Sequence, residues 1–107
     1  MNLAKKNLDQ FGLNVDFNQI KKYCENHHIS SLKFFGTIIT ENFTDSSDID
    51  ILVEFEDGFI PAFFKFIEIQ RKLSEFFNNR KVDLRTKEDL SRYFRQDVMN
   101  KAVRIFV

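Results

Sequence analysis

The segment Ile49–Phe55 constrains the fold of this 107-residue chain more than any other feature. Every second residue of the segment is apolar, namely Ile49, Ile51, Val53 and Phe55. Alternation with a period of two is typical of a β-strand. Asp48 and Asp50 stand two residues apart where this strand begins, so their side chains should leave the same face. The segment therefore predicts a strand that carries two adjacent carboxylates.

The segments around this strand predict further helices and strands. Asp16 is a good N-cap for a helix over residues 16–28, because apolar residues recur there at helical spacing. Pro61 suits the first position of another helix, and Thr86 suits the cap of a short one. Short apolar-rich strands are expected at residues 31–35 and 81–85.

The order of these elements predicts an α+β fold, in which helices pack on a two-layer mixed β-sheet. The length suits a single domain over residues 1–107, with residues 1–12 as a short helix or a loose arm. A last helix should carry Phe94. The apolar tail at residues 103–107 is expected to be an edge strand or a docking segment.

Composition excludes several classes of protein. The formal net charge is zero, so the chain lacks the basic field of a nonspecific nucleic-acid binder. The single cysteine, Cys24, excludes an intrachain disulfide. Because the sequence shows no signal peptide and no apolar run long enough to cross a bilayer, a cytoplasmic protein without membrane contact is expected. The sequence leaves open whether copies of the chain assemble.

Three carboxylates predict a site for a divalent cation. Asp48 and Asp50 would repel each other when buried, unless a cation lies between them. Asp83, centred in the strand at residues 81–85, could be brought beside them by strand pairing. Such oxygen ligands suit Mg²⁺, as one ion or two, with substrate phosphates completing the coordination. Gly36 and Thr37 follow a predicted strand, where backbone N–H groups and a hydroxyl could hold phosphate. Each motif alone is weak evidence.

Taken together, the motifs resemble the polymerase-β-type nucleotidyltransferase superfamily. The similarity rests on Phe-Phe-Gly-Thr at residues 34–37, Ser-Asp-Ile-Asp-Ile-Leu-Val-Glu-Phe at 47–55 and Val-Asp-Leu-Arg-Thr at 82–86. Length and the C-terminal segment are similar to the minimal nucleotidyltransferase (MNT) antitoxins, which are paired with HEPN-type toxins. The resemblance implies that Asp48, Asp50 and Asp83 are catalytic and bind metal. It also implies that Gly36, Thr37 and Ser47 bind the nucleotide.

The resemblance also implies an activity and a partner. The chain would transfer AMP from ATP, in the presence of Mg²⁺, to a tyrosine hydroxyl of a HEPN-type toxin encoded by a neighbouring gene. Direct contact with nucleic acid is not expected. The family usually has Arg-Gly where this chain has Thr40-Glu41, and the added charge favours an alternative. In that alternative, a catalytically weak nucleotidyltransferase-fold antitoxin neutralises its toxin by binding alone.

Two expectations concern side chains outside the motifs. The apolar stretch at residues 59–64 is expected to lie in the core, with Phe64 as a candidate partner contact because it lies off the main helical stripe. The basic residues that follow are expected to form a solvated face: Arg71, Lys72, Arg80, Lys81 and Arg85.

Overall fold

The computed structural model describes residues 2–106, which form four α-helices and a four-stranded sheet. The helices are α1 (Asn2–Gln10), α2 (Phe17–Asn26), α3 (Phe63–Phe76) and α4 (Arg95–Lys101). The strands are β1 (Ile29–Phe35), β2 (Ile49–Phe55), β3 (Val82–Arg85) and β4 (Val103–Phe106). Short 3₁₀ turns at Gly36–Ile39 and Lys87–Asp89 follow β1 and β3. The predicted α+β class is confirmed.

The sheet is mixed, with strand order β3-β2-β1-β4. β2 pairs with β1 in antiparallel orientation and with β3 in parallel orientation, while β4 pairs with the other edge of β1. The tail is therefore an edge strand up to Phe106, and Val107 lies outside the described residues. Parallel pairing of β2 and β3 requires a crossover connection, which α3 supplies.

The predicted helix starts are confirmed at α2 and need correction at α3. The Asp16 carboxylate accepts hydrogen bonds from the backbone N–H groups of Asn18 and Gln19, at 3.0 and 3.3 Å, as an N-cap should. α3 begins at Phe63 with Ala62 as its N-cap, so Pro61 precedes the helix instead of opening it.

The core lies between the sheet and helices α1, α2 and α3. Phe34 of β1 meets Phe77, which follows α3, edge to face at 5.8 Å, and both are fully buried. Ala4 and Leu8 of α1 are buried in the same cluster, so residues 2–10 form a docked helix and not a loose arm. Cys24 is buried in α2, and burial raises the pKa of its thiol to about 12, which disfavours the nucleophilic thiolate form.

The expectation that residues 59–64 belong to the core is wrong. The side chains of Ile60, Phe63 and Phe64 are 90%, 72% and 82% exposed, respectively. Phe94, which was expected on a helix face, is the N-cap of α4 and is also exposed. The buried side chains of α3 are Ile69 and Leu73, whereas the rings of Phe63, Phe64 and Phe94 lie outside the core cluster. No helix within residues 2–106 has the length and apolar character needed to span a membrane.

Candidate active site

A glycine turn follows β1 and faces an acidic residue of β2. Gly36 has φ +74°, a left-handed conformation that glycine adopts without steric cost. A Cβ atom at this position would overlap with the carboxylate of Asp50, so glycine is required here for space as well. Thr37 lies in the 3₁₀ turn, and its carbonyl accepts hydrogen bonds from the N–H and hydroxyl groups of Thr40, at 2.9 and 2.8 Å. These bonds fix the turn beside Asp50.

Strand pairing brings two of the three candidate carboxylates side by side. Asp50 of β2 is the register partner of Asp83 on β3 and of Phe35 on β1. Residues paired across a sheet share one face, so Asp50 and Asp83 project from the same side. Asp48 lies two residues before Asp50 and is half-buried at the start of the strand. All three carboxylates thus lie at one end of the β2–β3 pair.

The electrostatics of Asp50 reflect this crowding. Burial is the main cause that raises the pKa of Asp50 from 3.8 to about 6, and repulsion from Asp83 and Asp48 adds to it. Two cations partly balance the group. Lys81 lies 3.6 Å from Asp48, and Arg85 lies 3.3 Å from Asp83. Lys81 and Arg85 are solvent-exposed, as expected, and both also lie beside the carboxylates.

The donor set suits Mg²⁺ in chemistry but is not a closed cage. Within residues 2–106, no group of three or more histidine, cysteine, aspartate or glutamate side chains is arranged as a ready metal site. Mg²⁺ does not need such a cage, because it binds through one or two carboxylates and keeps waters and substrate phosphates as its other ligands. Asp50 and Asp83, adjacent and mutually repelling, could supply these carboxylates. The residues present therefore fit the ion.

The raised pKa of Asp50 gives a stability prediction in the absence of metal. Because the folded state binds this proton more tightly than the unfolded chain, the group destabilises the fold as pH rises through about 6. Asp50→Asn should raise the free energy of unfolding by about 1 kcal/mol at pH 7.5, after allowing for solvent screening of a half-exposed group. Near pH 3.5 the variant and the wild type should be equally stable. Urea titrations in EDTA at both pH values check this, and an equal difference at both would contradict it.

Ser47, the third candidate for nucleotide binding, is engaged in its own loop. Its hydroxyl accepts a hydrogen bond from the Thr44 N–H at 3.0 Å and lies 3.1 Å from the Thr44 hydroxyl. Arg80 donates from Nε to the Ser47 carbonyl at 3.1 Å, bonds the Thr44 carbonyl, and stacks over Phe43 at 4.7 Å. Arg80 was expected on a solvated face, but it is half-buried and fixes the loop that leads into Asp48.

Asn7 of α1 is a site residue that the sequence did not reveal. Its buried side-chain amide donates two hydrogen bonds of 2.8 Å, to the carbonyls of Ile38 and Thr40. These carbonyls belong to the end of the glycine turn, which α1 thereby holds against the core. The role of Asn7 could not be predicted from residue spacing, because its hydrogen-bond partners are backbone atoms 31 and 33 residues away.

Removing this amide should loosen the glycine turn. Asn7→Leu would leave two carbonyls without a partner, one of them buried, and should lower the free energy of unfolding by about 2 kcal/mol. We also expect weaker binding of an ATP analogue, because the turn would no longer be held beside Asp50. Urea titration and calorimetric nucleotide titration measure the two effects. Lys6→Leu, on the exposed side of the same helix, is the control, and equal behaviour of both variants would contradict the assignment.

Comparison with known proteins shows the family of this chain. Residues 18–107 match the family described as "Polymerase beta, Nucleotidyltransferase". The chain is 32% identical over 83 residues to the protein adenylyltransferase MntA of Thermococcus cleftensis. The alignment covers 78% of this chain and 81% of that protein. It is 33% identical over 66 residues to MJ1379 of Methanocaldococcus jannaschii, whose name gives protein adenylyltransferase as a provisional activity. That alignment covers 62% of this chain and 65% of the relative, which is less than two thirds of its length.

A solved structure supports the same fold. A crystal structure of a toxin–antitoxin with AMP-PNP contains a chain that superimposes with a TM-score of 0.66 at 21% identity. The match covers 86% of this chain and 73% of that chain. Because the family match spans residues 18–107, the mixed sheet with its acidic strand pair beside the glycine turn is a nucleotidyltransferase-type domain. The chain belongs to the polymerase beta nucleotidyltransferase family.

Proposed function

We propose that this chain is a Mg²⁺-dependent protein adenylyltransferase that transfers AMP from ATP to a tyrosine hydroxyl of a HEPN-type toxin encoded by a neighbouring gene. The observation that carries the proposal is the register of Asp50 and Asp83 on neighbouring parallel strands, with the Gly36 turn against Asp50. Further support comes from the names of the relatives and from the toxin–antitoxin structure with AMP-PNP.

The proposed reaction moves one nucleotidyl group. The acceptor oxygen forms a bond to the α-phosphorus of ATP, the bond to the bridging oxygen breaks, and pyrophosphate leaves with that electron pair. The acceptor proton passes to a carboxylate or to water. Mg²⁺, when bound, would neutralise the phosphates and polarise the attacking and leaving oxygens.

The glycine turn and the three carboxylates have separate roles in the proposed reaction. Gly36 and Thr37 present the backbone N–H groups and hydroxyl of their turn to the triphosphate. Asp48 and Asp50 would hold the metal at the start of β2. Asp83, beside Asp50, would contribute a further carboxylate and orient the acceptor hydroxyl. The raised pKa of Asp50 fits this role, because a cation would relieve the repulsion that burial strengthens.

One observation favours a second candidate function, a binding antitoxin with weak or absent catalysis. Glu41 is exposed two residues after the 3₁₀ turn that would hold the triphosphate. A fixed negative charge close to the phosphates opposes nucleotide binding. In addition, Arg85 pairs with Asp83, so metal binding at Asp83 competes with an existing ion pair.

Glu41 provides a graded test of these two candidates. Glu41→Gly should tighten ATP binding or raise the transfer rate by about threefold or more, because one like charge near the triphosphate is removed. Calorimetric titration with a nonhydrolysable ATP analogue and initial rates of transfer measure both quantities. Glu41→Gln is the matched control, since it removes the charge but keeps the bulk. No change in an active enzyme would show that Glu41 is not inhibitory.

The deciding experiment uses the protein encoded by the neighbouring gene. That protein is incubated with this chain, Mg²⁺ and ATP, and its intact mass is measured. An added AMP supports the enzyme. The position of that AMP is then found by peptide mass spectrometry, where a residue other than tyrosine would contradict the proposed acceptor. Growth rescue without added mass would instead favour the binding antitoxin.

A further inference from the structure

A groove of about 690 Å³ lies at the opposite end of the β2–β3 pair from the carboxylates. Its floor is built from aromatic rings that already contact each other, with Phe55 lying 5.7 Å from Phe59 and 6.4 Å from Phe66. Phe59 is further stacked on His28 at 4.6 Å. The floor is thus preorganised, and a ligand would not have to order it.

Two strongly exposed apolar side chains stand at the edge of this floor. Ile60 and Phe63 line the groove and are 90% and 72% exposed, respectively. Phe63 also touches Phe64, which continues the apolar surface outside the groove. Clustered exposure of this extent is typical of a surface that another molecule covers.

The rim of the groove is acidic. Four carboxylates line it: Glu54, Asp57, Glu88 and Asp89. Lys87 is the one basic residue among the described residues that line the groove. None of the four forms an ion pair in the described part of the chain, residues 2–106. The residues that line the groove therefore carry a formal net charge of about −3 at neutral pH, four acids against one base, and Asp89 is partly balanced by Arg85 outside the groove.

The charge of the rim decides between the classes of occupant. Nucleic acid and anionic lipid would be repelled. A second copy of this chain, meeting groove to groove, would bring the same negative charges together. A protein segment with apolar side chains flanked by lysine or arginine satisfies both the floor and the rim.

The groove is also within reach of the carboxylates. β2 runs from Asp50 to Glu54, which is four residues or about 13 Å of strand. β3 likewise leads from Asp83 to Thr86, which lines the groove. Glu54 and Asp50 project from the same face of β2, whereas Phe55 of the floor projects from the opposite face. A segment that passes from the floor over the Glu54 side of the groove could therefore present a hydroxyl about four extended residues away to the acidic end of the sheet.

We propose that the groove between residues 59–63 and the Lys87–Asp89 turn docks a basic, apolar segment of the protein substrate. This inference rests on the proposed function, because it assigns the surface by which that site recruits its acceptor. It places the docking contact away from the carboxylates, so that binding and chemistry depend on different residues.

The test measures binding of the neighbouring gene's protein by biolayer interferometry. Ile60→Ser and Phe63→Ser should each weaken binding by about tenfold or more, since buried apolar anchors dominate such contacts. Phe94→Ser, another exposed ring but outside the groove, is the apolar control. Both anchors are exposed, so the variants should keep the wild-type melting temperature. Equal binding by wild type and anchor variants, or an equal loss in Phe94→Ser, would overturn the proposal.

Charge is tested separately at the rim. Glu88→Lys should weaken binding and make it less dependent on salt concentration. Glu25→Lys, at an exposed position of α2, should change neither property. Tighter binding by Glu88→Lys would show that the partner segment is acidic and would overturn the proposal. Light scattering that shows an Ile60-dependent dimer of this chain alone would also overturn the proposal. Failure of the wild-type protein to bind the partner would overturn it as well.

The docking proposal and the proposed function fail differently. If wild type binds through the groove but adds no AMP, the function fails and the docking surface stands. If AMP transfer is intact in Ile60→Ser with an unchanged KM for the partner, the docking proposal fails and the function stands. Where both hold, Ile60→Ser should raise the KM for the partner and leave kcat nearly unchanged.

Discussion

Asp50→Ala should reduce AMP transfer by about a thousandfold or more, while binding of the partner protein stays nearly intact. The carboxylate lies between Gly36 and Asp83, where the proposed metal would contact the reacting phosphate. Stabilisation of charge at a transferring phosphoryl group appears mainly in the transition state, so its loss lowers kcat. Asp48→Ala should also lower the rate of AMP transfer. Intact mass of the partner after timed reaction with ATP measures the effect.

Asp45→Ala is the matched control for this prediction. Asp45 is an exposed carboxylate of the loop before Asp48, so its removal changes net charge equally without touching the strand pair. Binding is followed in parallel by interferometry. If Asp50→Ala neutralises the toxin as well as wild type does, the protein acts by binding alone. Full transfer activity in Asp50→Ala would show that Asp50 does not belong to the catalytic site.

The strands of the site could be predicted because alternation is a local property. The period of two in Ile49–Phe55 places Asp48 and Asp50 on one face whatever the rest of the chain does. Alternation does not specify which strands pair. The position of Asp83 beside Asp50 depends on a parallel crossover through α3, and the sequence indicated it only through resemblance to a family.

Other parts of the site depend on contacts between distant segments. Asn7 and Arg80 hold backbone carbonyls, and carbonyls leave no pattern in a sequence. The exposed position of Phe63 was missed for a different reason. Apolar periodicity predicts which side chains are buried. It does not distinguish burial in the core of the chain from burial against a partner.

Gly36→Ala should impair catalysis far more than a glycine replacement with the same backbone cost elsewhere. Alanine at φ +74° should destabilise the fold by about 1–2 kcal/mol. Its Cβ would also occupy the position of the Asp50 carboxylate, whose Cγ and Cβ lie 3.0 and 3.2 Å from that point. The carboxylate must then turn away, and we expect transfer to fall by about a hundredfold or more.

Gly12 provides the control that separates these two effects. Its φ is +72°, but a Cβ there would meet no atom within 4 Å. Gly12→Ala should therefore lose a similar amount of stability in urea titration and keep its transfer rate below the unfolding transition. The ratio of the two transfer rates measures the contribution of the Gly36–Asp50 contact alone. Equal rates would mean that the chemistry does not require the close approach of Gly36 to Asp50.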